Sequence, residues 1–432
     1  MGVAVSARRR LFDLARALAL LACAAAPLAA QTTEVRLDIK GAGQRIHVRT
    51  EPLAPRGDRS ATDTARQSDD VLAKDLAWSA VFKVDTPGGP VTPGSEPQAF
   101  IGGTLTQTGN QVLLHGEAVD GITRKTILAR DYRGPAASWR ALVHRYSDDL
   151  VMQFTGEPGV ASTRIAFIGR NGHDKELYVM DWDGWYLRPL TKDRSIAQSP
   201  AWSPDGSLIL FTSYRAGTGA RVFVTPAAGG AVYQVSGRPG LNTSAAYSPD
   251  GQEIACTLSQ DGNAEVYRLD ARGGSPRRIT NSRGIDTSPT WSPTGHEIAF
   301  TSDRGGNPQV YVMDREGGNA RRLTFDLSYT DSPAWSPKGD RLAFVARAGN
   351  GFDIYTCRPD GADLRLEVTG GSNENPHWSP DGRHLLFASS RDGPIGLYVS
   401  DLDQGSPRRI DTGGLVTSSP AWSPRLAGPE TK

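Results

Sequence analysis

An aromatic residue followed by Ser-Pro recurs at Trp202, Tyr247, Trp291, Trp335, Trp378 and Trp422, at intervals of 45, 44, 44, 43 and 44 residues. Self-similarity at such a period means that each unit buries its apolar face against copies of itself. Every full unit carries four short β-type segments. In one copy Ser332-Pro333-Ala334-Trp335 runs through a Pro337-Lys338-Gly339 turn into Arg341-Leu342-Ala343-Phe344-Val345, then Asp353-Ile354-Tyr355 and Arg365-Leu366-Glu367-Val368-Thr369. The turns have a mechanism: proline presets φ at the second position and glycine supplies the left-handed residue, as in Pro204-Asp205-Gly206, Pro249-Asp250-Gly251 and Pro380-Asp381-Gly382. Four strands per repeat, arranged radially, predict a β-propeller.

The count predicts how the ring closes. Second-strand segments begin at Arg164, Leu208, Glu253, Glu297, Arg341 and His384, also six, but the first has no Ser-Pro-Ala-Trp before it. The last such segment, Ser419-Pro420-Ala421-Trp422, has no second strand after it. Pairing residues 419–423 with the blade begun at 164–191 removes the open sheet edge; the alternative is an open solenoid. In this register Cys256 occupies the slot of Phe167, Phe211, Phe300, Phe344 and Phe387, and Cys357 that of Met180 and Met313. Both read as buried small apolar residues and not as a disulfide.

Residues 1–30 read as an export signal: Arg8, Arg9 and Arg10 precede an apolar run from Ala17 to Ala30 that ends in small residues. Leu20-Leu21-Ala22-Cys23 also resembles a lipidation box, which would leave a short apolar core, and the cleavage site stays open. Residues 31–160 lack the repeat and predict a small α/β domain. Its strands fall at Val35–Ile39, 100–106, 111–119 and 124–131. One helix over 62–78 turns Val71, Leu72, Leu76 and Ala77 inward. Another carries Trp139, Leu142, Val143, Tyr146, Leu150, Val151 and Phe154 at helical spacing. Residues 86–98 read as a Pro/Gly-rich loop. The whole is thus a multidomain chain, with a six-bladed propeller over 161–425 closed by the C-terminal strand and a tail at 426–432.

Composition narrows the function. Lys+Arg number 48 and Asp+Glu 47, for a net charge of +1, which argues against a basic nucleic-acid binder. Three cysteines exclude a disulfide scaffold. No nucleophile elbow, P-loop, zinc-protease helix or dinucleotide fingerprint is present, the seven histidines show no ligand spacing, and no cofactor is expected. His377 stands where other repeats place Ala201, Ala246, Thr290, Ala334 and Ala421, either as a channel-facing functional group or as a packing variant. A lyase, glycosidase or carbohydrate-binding site in the channel leaves no short motif, so that alternative stays open.

Connections from a fourth strand to the next blade's first strand converge on one mouth of the channel. They include Leu241, Asn242, Thr243, Ser244, Ile285, Asp286, Thr287, Asp331, Asn373, Glu374 and Thr417. Small polar and mildly acidic residues with isolated apolar members suit the docking of a protein loop. The other readings are that these side chains only satisfy turn backbones, or that Asp286, Asp331 and Glu374 hold a divalent cation.

An export signal, a small α/β domain and six such repeats resemble the TolB family, the periplasmic propeller of the Tol–Pal system. The likeness is carried by residues 199–206, by Thr301-Ser302-Asp303-Arg304 and Val310-Tyr311-Val312-Met313-Asp314, and by the N-terminal region from Glu34-Val35-Arg36 through Phe154 into Arg164-Ile165-Ala166-Phe167. Ile46-His47-Val48-Arg49 and the loop at 86–98 depart from the family pattern. The resemblance implies a non-enzymatic periplasmic scaffold, monomeric and held at the outer membrane through its partners, that supports outer-membrane integrity and cell division. It implies that a Pal-like peptidoglycan-associated lipoprotein binds the propeller mouth, at Leu241, Asn242, Ser244, Asp286, Thr287, Asp331, Asn373, Glu374 and Thr417. It also implies that Gln31-Thr32-Thr33-Glu34 engages a TolA-like partner.

Overall fold

A computed structural model describes residues 45–88, 96–217, 219–402 and 406–426. The export segment with Cys23, the tail at Gln31–Glu34, the expected strand at Val35–Ile39 and most of the 86–98 loop lie outside the described residues.

The first part is a mixed sheet carrying two helices. Strand β1 (Ile46–Thr50) is flanked in parallel by β3 (Phe82–Asp85) and β4 (Ala99–Thr108), while β5 (Gln111–Asp120) and β6 (Thr126–Pro135) continue antiparallel, and β2 (Ala54–Gly57) pairs with the far half of β4. Strands β1 to β3 are additions to the expected set. Helices α1 (Ser60–Trp78) and α2 (Trp139–Thr155) pack on each other and on the sheet. Their apolar spacing buries Val71, Leu72 and Leu76 on α1, and Leu142, Val143, Tyr146, Leu150, Val151 and Phe154 on α2. Ala77 and Trp139 are only half-buried, and Ser68 and Asp75 face inward on α1 instead. Gly116 is required where Tyr146 crosses β5: an added Cβ would stand 2.5 Å from the tyrosine ring, whose hydroxyl donates to the carbonyls of Gly102 and Glu117.

The second part is a ring of six four-stranded antiparallel sheets. Blade I takes its innermost strand from Val416–Trp422, which pairs with Arg164–Asn171 so that Thr417 faces Gly169 and Trp422 faces Ile165. Blades II to VI have innermost strands Ala197–Trp202, Asn242–Tyr247, Asp286–Trp291, Thr330–Trp335 and Asn373–Trp378. The expected closure is therefore the observed one. Between blades the cores are apolar, and Phe167, Phe211, Phe300, Phe344 and Phe387 are all buried, with Cys256 in the same row of the register. Cys256 and Cys357 are free and buried, and burial pushes both thiols up, Cys256 to about 12. The repeated tryptophans tie adjacent blades: the indole N–H of Trp202, Trp291 and Trp378 donates to the carbonyl of Ala421, Ala246 and Ala334 in the preceding innermost strand.

All six innermost strands break register in the middle, as at Asp331/Ala334 and Glu374/His377. At each break one residue enters the left-handed region: Ser199, Ser244, Ser288, Ser332, Asn375 and Ser419, with φ between 46° and 54°. A bulge re-aims the strand, and a short polar side chain tolerates this conformation better than a branched one. We expect Ser332→Val to destabilise the protein by about 1–2 kcal/mol in urea unfolding, and Ser332→Gly to be near neutral. Equal midpoints for the two variants would show that the positive φ carries no strain.

Candidate partner-binding mouth of the propeller

Each innermost strand runs from its bulge toward its aromatic residue, so the 1–2 and 3–4 turns lie on one face of the ring and the 2–3 and 4–1 connections on the other. The N-terminal domain occupies the first face. Trp78 meets Trp182 edge-on at 5.7 Å, Lys74 Nζ donates to the Asp183 carbonyl at 3.3 Å, and Arg140 is buried against the Asp183 carboxylate. Asp183 belongs to the 3–4 turn of blade I. On blade VI, Asp401 Oδ2 accepts from Arg45 at 2.8 Å, and Arg408 lies over the Trp78 ring. The second face, with the 4–1 connections, is left open by this domain.

The residues expected at that mouth divide into two sets. Asn242, Asp286 and Asn373 hold the first position of their innermost strands and Thr417 the second of its own, and all four are buried. The side chains of Asn242, Asp286 and Asn373 brace the connections. Asn242 Nδ2 donates to the carbonyls of Arg238 and Gly240 while Oδ1 accepts from Ser236 Oγ at 2.7 Å. Asn373 Oδ1 accepts from Ser389 Oγ and Arg391 Nη2. Burial pushes the Asp286 carboxyl above its ordinary range, against the opposing charge of Arg304, whose Nη2 lies 2.7 Å away. Thr417 Oγ1 has no partner among the described residues. Leu241, Thr243, Ser244, Thr287, Asp331 and Glu374 are half-buried beside them. Asp331 is partly spent as well: it accepts from Thr301 Oγ1 at 2.8 Å and from the Ser332 backbone. With Asp286 held by Arg304, the three carboxylates do not form a cation cage, and among the described residues no group of three or more His, Cys, Asp or Glu side chains could hold a metal ion.

The same mouth carries exposed apolar side chains that loop composition had hidden. Ile196 precedes blade II, Tyr214 tips its 2–3 hairpin, Ile285 precedes blade IV and Phe325 lies between blades IV and V, the last 69% exposed. Only Ile285 stood among the connections picked out from sequence. The signal that could have found the others is a single large apolar residue in an otherwise Gly/Ser/Asp-rich connection, where the fold offers nothing to cover it.

His377 resolves to a seam residue. Its Nδ1 lies 3.3 Å from the backbone N–H of Trp422 and 3.1 Å from the Trp378 carbonyl, so it reaches across from blade VI to the closing strand. Burial lowers its basicity below the ordinary histidine value, only partly offset by the Trp378 carbonyl that Nδ1 faces.

Residues 151–426 match the family described as the TolB beta propeller domain. A TolB homolog of Chlorobium chlorochromatii is 40% identical over 167 residues, 39% of this chain and 37% of that protein. A Tol-Pal system protein TolB of Anaeromyxobacter sp. is 37% identical over 274 residues, 59% of this chain and 61% of that protein. These matches therefore span between about a third and two thirds of the curated relatives' length. The crystal structure of TolB from Acinetobacter baumannii superposes with a TM-score of 0.78 at 26% identity, covering 88% of this chain and 97% of that one. Among the described residues no helix is long and apolar enough to cross a membrane. Repeat, ring closure, preceding α/β domain and these likenesses agree, and the chain belongs to the TolB β-propeller family.

Proposed function

We propose that the protein is a non-enzymatic periplasmic scaffold of the Tol–Pal system. In this reading the open mouth binds a Pal-like peptidoglycan-associated lipoprotein, and the N-terminal segment around Gln31–Glu34 engages a TolA-like partner, in support of outer-membrane integrity and division. The observation that carries it is the mouth itself: Ile196, Tyr214, Ile285 and Phe325 stand exposed around a polar rim, on the face that the N-terminal domain leaves open. Apolar anchors within a polar surround are what a protein partner's loop buries. Names of relatives supply the system, since the Anaeromyxobacter protein is named as a Tol-Pal component. The contact surface comprises Leu241, Ser244, Thr287, Asp331 and Glu374 with these four apolar residues. Asn242, Asp286 and Asn373 hold the rim in shape from behind, with Thr417 buried in the same row.

Calorimetry with the purified soluble domain of the Pal-like lipoprotein tests the reading. Phe325→Asp combined with Ile285→Asp is expected to weaken binding at least tenfold, about 1.4 kcal/mol or more, with the unfolding midpoint unchanged because both side chains are exposed. Deleting residues 31–34 is expected to leave that affinity intact and to abolish binding of the TolA-like partner. An unaltered lipoprotein affinity in the double variant would remove this mouth as the docking surface.

A further inference from the structure

A cleft of about 780 Å³ lies between the first turns of α2 and the outer part of blade I, on the face opposite the open mouth. Clefts of this size receive small organic ligands. Its helical wall is low, formed by Ala137 and Ala141, and Met180 and Leu187 supply apolar surface from the blade.

The charged groups facing this space are unbalanced. Arg145, Arg164 and Arg188 line it against one carboxylate, Asp181. Arg164 stands 3.6 Å from Asp181 and answers it. Arg188 donates to the Ala227 carbonyl at 2.8 Å, and among the described residues no carboxylate pairs with it. Its guanidinium is held below ordinary basicity, first by burial and then by the neighbouring charge of Arg164, which the charge of Asp181 only partly offsets. Arg145 lies over the Tyr132 ring, also with no ion pair among the described residues.

His144 adds a buried donor. It is 3% exposed, and its Nδ1 faces Asp75 at 2.7 Å, where Ser147 also donates. Burial opposes its charge, but the charge and hydrogen bond of Asp75 overcome this and raise its basicity above the ordinary value. Of the other acids near the ring, Asp183 is spent on Arg140 and Asp181 faces Arg164. Nε2 is then the remaining polar atom of a side chain that lines the cleft, and it is buried without a partner. An orphaned buried N–H and three arginines facing a single carboxylate, Asp181, favour an anion.

We propose that this cleft binds a carboxylate-bearing organic ligand, its carboxylate received by Arg188, Arg164 and His144 Nε2 and its apolar body lying between Ala141 and Leu187. The carboxylate belongs either to a free organic acid or to the C-terminus of a peptide ending in an apolar residue, and one experiment separates the two. The full chain is titrated calorimetrically with N-acetyl-leucine, with its amide, and with an acetylated pentapeptide ending in leucine. Both acids are expected to bind at least tenfold tighter than the amide, and Arg188→Ala to lose roughly tenfold to a hundredfold of that affinity. A pentapeptide that binds tighter than N-acetyl-leucine identifies a peptide terminus, and equal affinities identify a small acid. Because His144→Gln could perturb packing, the imidazole is followed in the wild-type chain instead, where ring-nitrogen resonances of His144 are expected to shift on saturation. Acid and amide binding alike, or acid binding untouched by Arg188→Ala with the His144 resonances unmoved, overturns the site; so does the absence of saturable binding of either acid in the millimolar range.

Discussion

A chain ending at Leu415 is expected to lose cooperative folding of the ring, because blade I then lacks its innermost strand. Ile165 and Phe167, both buried in the closed ring, would face an unpaired edge together with the backbone of Arg164–Asn171. The single-residue version is Trp422→Ala. Trp422 is 2% exposed, its ring stacks on His384 at 5.9 Å, and its indole donates to Thr163 Oγ1 at 2.7 Å. Removing a buried tryptophan costs about 3–5 kcal/mol, the lost transfer energy plus the cavity left behind. Here the cavity opens at the seam where the two partner strands come from opposite ends of the ring's sequence. Urea unfolding followed by tryptophan fluorescence and by circular dichroism should show the midpoint drop, with the two probes separating in the truncated chain. A midpoint within about 1 kcal/mol of wild type for Trp422→Ala would mean that closure does not govern stability.

The second large effect centres on Asp401, at the end of the third strand of blade VI. Its carboxylate is 4% exposed; Oδ1 accepts from His384 Nδ1 at 2.8 Å and Arg408 Nη1 at 3.0 Å, and Oδ2 from Arg45 at 2.8 Å. Burial alone would raise this carboxyl, but the hydrogen bond and charge of His384 and the charge of Arg408 hold it below the ordinary carboxylate value. Asp401→Ala leaves two arginines and a histidine facing an uncompensated site, which costs about 3–5 kcal/mol for a buried pair. The sign of the pH effect follows from the depressed value. The contribution is complete above the unfolded-state value of about 3.9 and is lost as pH falls through the lower folded-state value. Wild type should therefore lose stability steeply below about pH 4, and Asp401→Ala should show a shallower slope there. Because Arg45 enters from the N-terminal domain, proteolysis of the connection near 156–163 should also quicken in the variant. Identical acid slopes would show that this ion cluster is not thermodynamically linked to folding.

The propeller was legible because its residues recur: an aromatic before Ser-Pro, a glycine in each turn and a phenylalanine row can be checked against five other copies. Counting alone located the seam, since one repeat lacked a beginning and one an end. The N-terminal domain offered no such redundancy. Strands β1 and β3 are four or five residues long and carry His47, Arg49, Lys83 and Asp85, so they show little alternation. What holds them is parallel register and the His47–Asp85 pair at 2.8 Å, both long-range facts. Likewise, α1 turns Asp75 inward because His144 waits for it on α2, which no local period announces. At the mouth, the connections were found but not the direction of their side chains. Asn242, Asp286 and Asn373 sit in Gly-rich segments that read as exposed, yet the first strand position points toward the connection it braces. Phe325 shows its exposure only once the ring is built, with the Arg322 guanidinium lying over its ring.

The placement of the N-terminal domain has a mechanical consequence. It is bolted to the ring at blades I and VI, through Trp78 on Trp182 and Arg45 on Asp401, and an exposed ion pair reaches further, from Glu157 to Lys338 of blade V at 3.4 Å. Tension between this domain and the opposite face enters off-axis and is borne first by two adjacent sectors. The late-arriving strand is the innermost one of blade I, and its Trp422 backbone N–H lies 3.3 Å from His377 of blade VI. Under load, the joint finished last in synthesis is thus the one that the pull tries to pry apart.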